Sequence, residues 1–166
     1  MKKKIRLFFC VLAMCSITTV YGQDFVQRAQ YIFNFTKFIE WPGGIAGYFK
    51  IVVLDDKDVA ASLDLIAKSK KVGNASVIVQ VITSTTDIGN AHILYVPVTK
   101  RRQLSAINQS LAGKPTLIVS HGAASDFAIN LINDGGNLKY QISKTNIESH
   151  KLKVNASLIT TGIPVK

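Results

Sequence analysis

A three-layer α/β sandwich, with a mostly parallel sheet flanked by helices and a C-terminal antiparallel hairpin, follows from three features of this sequence. Short β-branched apolar runs alternate with helical periodicity between residues 49 and 120. Those runs lack polar alternation, as strands buried on both faces do. Two later runs are joined by Asn133-Asp134-Gly135-Gly136, residues that tolerate positive φ and so mark a hairpin.

The elements can be justified in order. A helix is predicted from about Asp24, because Phe25, Ala29, Ile32, Phe33, Thr36 and Ile39 recur at three- and four-residue steps and form one apolar stripe. Pro42 should stop it, since proline biases Trp41 away from helical backbone. Phe49 to Leu54 reads as a buried strand ended by Asp55-Asp56, and Lys57 to Lys70 as a helix carrying Val59, Leu63 and Ile66. Ser76 to Thr83 and His92 to Val98 are the next strands. A basic helix follows from Lys100 to Ala112, using Leu104, Ile107 and Leu111, with Gly113 and Pro115 as its stop. Thr116 to Ser120 is a fourth strand, Phe127 to Ile132 and Leu138 to Ser143 form the hairpin, and Thr145 to Lys151 and Asn155 to Thr161 close the chain as short helices.

The first residues read as an export signal. Lys2, Lys3, Lys4 and Arg6 precede the apolar run Leu7 to Met14, and Val20-Tyr21-Gly22 suits a signal peptidase. The run is far shorter than the roughly 20 residues that span a bilayer. Periplasmic export by cleavage after residue 22 is therefore expected; a lipoprotein acylated at Cys15 is the alternative, opposed by the size of Met14. Cleavage leaves residues 23–166 as one domain. Four of the twenty basic residues and none of the ten acidic ones leave with the signal, so sixteen against ten gives a net charge of +6. That is mildly basic, and neither Lys68-Lys70-Lys71 nor Lys100-Arg101-Arg102 has the interleaved aromatics of a nucleic-acid platform. Both cysteines, Cys10 and Cys15, fall in the signal, so the exported chain has neither a disulfide nor a thiolate nucleophile.

Several catalytic readings fail on spacing. Asp55-Asp56 at a strand end suggests a phosphoryl-transfer receiver, yet the neighbouring strand offers only Thr99 where such a site needs another aspartate. Capping of the following helix is the expected role of the pair. Ser120-His121 with Asp126 suggests a hydrolase triad, but adjacent residues of an extended chain point to opposite sides. His92, His121 and His150 lie 29 residues apart and make no metal-binding pair, so neither a metal nor a cofactor is expected.

The segment Tyr31 to Pro42, YIFNFTKFIEWP, carries a resemblance. Asn34-Phe35, Lys37-Phe38 and Glu40-Trp41-Pro42 are similar to the opening signature of the YfiR/HmsC-like periplasmic proteins, and Ile51 to Leu54, His92 to Val96, Leu117 to Ser120 and Leu138 to Ile142 resemble strands of that family. Departures are Asp55-Asp56 where the family has glycine, Ala91 where a cysteine is common, Ser125 to Ala128 in place of paired glycines, and Leu158 to Gly162 in place of a leucine-rich helix. Disulfide-dependent control does not carry over. The resemblance implies an exported, non-catalytic regulator of cyclic-di-GMP or related signalling, which binds the extracytoplasmic sensor domain of a membrane receptor such as a diguanylate cyclase or histidine kinase. It also leaves room for a homodimer. Trp41 at a helix end is expected to be half exposed, making Glu40, Trp41 and Pro42 the candidate partner surface. The other reading is a small-ligand sensor, in which Asp55, Asp56, Thr99, Ser120 and His121 gather beyond the carboxyl ends of the strands.

Overall fold

The computed structural model describes residues 19–165. Residues 1–18, and with them most of the predicted signal, Cys10 and Cys15, lie outside that description. Five α-helices are found among the described residues: α1 (Thr19–Phe35), α2 (Lys57–Ala67), α3 (Leu104–Ser110), α4 (Lys144–Ser149) and α5 (Ala156–Thr161). None is long and apolar enough to cross a membrane.

Eight strands form the main sheet: β2 (Tyr48–Leu54), β3 (Lys71–Val72), β4 (Ala75–Ile82), β5 (Ile93–Val96), β6 (Leu117–His121), β7 (Ile129–Asp134), β8 (Asn137–Ile142) and β10 (Ile163–Pro164). Their order is β10-β8-β7-β6-β5-β2-β4-β3. The run from β4 through β7 is parallel, and β8 returns antiparallel to β7 as the hairpin signal predicts. From β2 the chain crosses to β4 on one side, then returns to β5 on the other and proceeds outward. Because parallel crossovers are right-handed, movement in opposite directions puts α2 and α3 on opposite faces of the sheet. All four residues of β5 are buried, as a central strand covered on both sides requires.

α1 lies on the same face as α2, antiparallel to the strands, and buries Ala29, Ile32, Phe33 and Phe35. Its aromatics reach across the sheet: Tyr31 and Phe35 pack on Tyr140 at centroid distances of 6.0 and 5.3 Å, and Tyr31 Oη donates to Leu138 O at 3.0 Å. Tyr140 is in turn fixed by donation to Leu158 O at 2.8 Å. Gly162 allows that arrangement, because a Cβ there would stand 2.3 Å from Tyr140 Cε2.

Two expectations are corrected. α1 begins at Thr19 and stops at Phe35, well before Pro42. Three successive tight turns, Thr36 N to Phe33 O, Lys37 N to Asn34 O and Phe38 N to Phe35 O, end it. The chain is then captured as β1 (Ile39–Glu40), which pairs antiparallel with β9 (Lys153–Val154). Pairing with a segment distant in sequence outweighs helical continuation there. The predicted basic helix is also divided: residues Val98–Gln103 form a 3₁₀ segment after Pro97, and only then does α3 begin.

Candidate functional site

The parallel strands present two ends, and the predicted residues divide between them. The sheet order reverses between β2 and β5, so the carboxyl end of these strands is the topological switch point where α/β proteins hold ligands. Asp55 leaves β2 in the left-handed region at φ 52° and pairs with Lys100 Nζ at 2.8 Å, tying the end of β2 to the 3₁₀ segment after β5. Asp56 caps α2, its Oδ1 accepting from Val59 N at 3.0 Å, which is the capping role expected of the pair. Thr99 is exposed on the 3₁₀ segment.

Ser120 does not join them. Its side chain is fully buried on the α3 face of the sheet, and Oγ lies 3.0 Å from Asn130 Oδ1, to which it donates. Asn130 also donates to Ala123 O at 2.9 Å and Gln141 Oε1 at 2.8 Å, so Ser120 belongs to a buried network that shapes the turn after β6. His121 points the other way, as alternation along a strand demands.

On that other side sequence reasoning missed two residues. Arg28, midway along α1, is 9% exposed, lies over the Phe25 ring at 5.4 Å, and pairs with Asp24, its Nε donating to Oδ1 at 3.1 Å. It faces Tyr95 and His121 closely enough to act on both electrostatically. Among the described residues, Tyr95 Oη and His121 Nδ1 are the buried side-chain polar atoms without a hydrogen-bond partner. Burial drives the Tyr95 phenol pKa well above its ordinary value. Burial also lowers the His121 pKa, and the Arg28 charge lowers it further. The available signals were an Asp24-Arg28 pair four residues apart on an otherwise apolar helix, and a lone hydroxyl within the apolar strand ILYV.

The amino end holds Trp41, and its expected half exposure is not observed. Trp41 is 7% exposed, stands edge-on to Phe49 at 5.0 Å, and donates from Nε1 to His92 O at 3.3 Å. Phe49 stacks on the His92 ring at 4.7 Å, and His92 Nδ1 accepts from Lys50 N at 3.0 Å. That bond fixes the neutral tautomer with its proton on Nε2, and burial lowers the His92 pKa in keeping with it. Pairing of Ile39 with Val154 turns the chain so that Trp41 enters the core while Glu40 and Pro42 stay exposed.

Fold and site together define a small α/β domain in which Ser120 is committed to the Asn130 side chain and Asp56 to the Val59 amide. The YfiR/HmsC-like family model matches residues 26–162, and the chain belongs to that family. It is a family of regulatory domains. No curated protein matches the chain.

Proposed function

We propose that this protein is an exported, non-catalytic regulatory module that controls a membrane signalling protein, a diguanylate cyclase or a histidine kinase, by binding its extracytoplasmic sensor domain. Membership of the YfiR/HmsC-like family over residues 26–162 is the observation that carries this reading. Regulation by binding is a population shift: the module favours one receptor state only as far as it binds that state better. About 2.7 kcal/mol of differential affinity changes the receptor equilibrium roughly a hundredfold. Glu40 and Pro42 are proposed as part of the contact surface, with Trp41 beneath them as the anchor that fixes their position.

The test is reconstitution. The intact receptor is placed in vesicles with its sensor domain outward, and cyclase or kinase output is followed as the exported protein is added. A saturable change in output, right-shifted by Glu40→Lys, supports the proposal; output indifferent to the protein at saturating concentration opposes it.

A second reading, a small-ligand sensor at the carboxyl end, is favoured by one specific observation. Tyr95 Oη and His121 Nδ1 face the Arg28–Asp24 pair without partners of their own, and buried polar groups left so are costly unless something completes them. Thermal stabilisation by a polar metabolite, lost in both Tyr95→Phe and His121→Phe, would support this reading. A ligand whose effect survives both substitutions binds elsewhere.

A further inference from the structure

The amino-terminal part of α1 carries an exposed amide side chain whose chemistry changes when the export signal is removed. Cleavage after Gly22, where Val20-Tyr21-Gly22 suits a signal peptidase, makes Gln23 the first residue of the exported chain. The inference rests on that proposed cut. Gln23 is exposed and heads the part of α1 that remains, with Asp24 and Phe25 half-buried behind it.

A new terminus at this position is electrostatically crowded. The first amides of a helix lack intrahelical acceptors and give that end a partial positive charge, to which an α-ammonium on Gln23 adds a full one. On what remains of α1, Asp24 is the single acid. It is already held by Arg28, whose Nε donates to Oδ1 at 3.1 Å and whose Nη2 pairs with Oδ2. Arg28 is buried, so drawing its carboxylate away would leave a buried charge unpaired, and two cations compete for one anion. Glutamine in the first position removes the new charge with its own atoms. The free amine attacks Cδ of the same side chain, the new N–Cδ bond closes a five-membered lactam, the Cδ–Nε2 bond breaks, and the amide nitrogen departs with the amine's proton as ammonia. Both reacting groups sit on one residue, so the step needs no oxidant, cofactor or second substrate. Exposure leaves the Gln23 side chain free to turn back on its own nitrogen.

We propose that Gln23 is a modification site, and that the exported protein begins with a pyroglutamyl residue formed from it. The neutral ring leaves Asp24 to Arg28 and closes the terminus to aminopeptidases.

The test uses the full chain, exported by the cell that makes it, with intact mass and the N-terminal peptide read by mass spectrometry at harvest and again after storage. The expected product starts at residue 23 and is lighter at harvest by one ammonia than the open sequence. It should resist stepwise sequencing, and become readable from Asp24 after digestion with pyroglutamyl aminopeptidase. Gln23→Glu, whose carboxylate offers no comparable leaving group, is expected to keep an open amine and to be sequenced directly. An open Gln23 at harvest, or a ring that accumulates only on storage, overturns the modification and leaves the cut standing. A chain cut elsewhere, or not cut at all, overturns both.

Discussion

The amino and carboxyl ends of the parallel strands contain similar chemistry in opposite states. At the amino end the Trp41 indole N–H donates to the His92 carbonyl and the Lys50 amide donates to the His92 ring, which stacks on Phe49. At the carboxyl end a phenol and a histidine nitrogen are buried beside an arginine and go unmatched. One helix serves both ends: the middle of α1 brings Arg28 to the carboxyl end, and the chain leaving its last turn brings Trp41 to the amino end. A satisfied cluster stabilises the fold, whereas an unsatisfied one is kept at a cost, and such costs gather where a protein binds or switches.

Substitutions should expose the difference, the largest first. Trp41→Ala opens a cavity within a well-packed aromatic cluster and is expected to cost about 3–5 kcal/mol in urea unfolding. His92→Phe keeps a ring against Phe49 but leaves the Lys50 amide without its acceptor, so a loss of about 1–3 kcal/mol is expected in the same measurement. The pH dependence has a definite sign. His92 and His121 have folded pKa values below the ordinary 6.5, so the unfolded chain takes up protons first as pH falls. Their contribution is complete above that value and is lost progressively below it; the melting midpoint should decline between about pH 7 and about pH 5, with a shallower decline in His92→Phe. Tyr95→Phe is the smallest and most diagnostic change. Removing an unmatched hydroxyl should leave stability within about 0.5 kcal/mol of wild type or raise it, and a loss as large as that of His92→Phe would erase the contrast between the two ends.

The sequence was most legible where local pattern and tertiary need agree. The uninterrupted β-branched runs around Ile51, Leu94 and Ile118 became central strands, and Asn133 to Gly136 became the hairpin, with Gly135 and Gly136 at positive φ. β1, β3, β9 and β10 are two-residue pairings, too short to leave a periodicity. The end of α1 was misplaced because Pro42 is a visible stop, whereas the actual competitor, Val154 pairing with Ile39, lies far along the chain. Within the site, Asp56 was readable from capping chemistry alone. The burial of Trp41 depends on Phe49 and His92, and the withdrawal of Ser120 on Asn130, contacts that only the assembled sheet creates.

The regulatory account is tested most directly by calorimetric titration of residues 23–166 into the purified extracytoplasmic domain of a membrane cyclase or kinase from the same cell. Saturable binding is predicted, weakened by Glu40→Lys and retained by Tyr95→Phe. Absence of binding, with a substrate turned over by the same preparation and spared only when one polar side chain is removed, would contradict it.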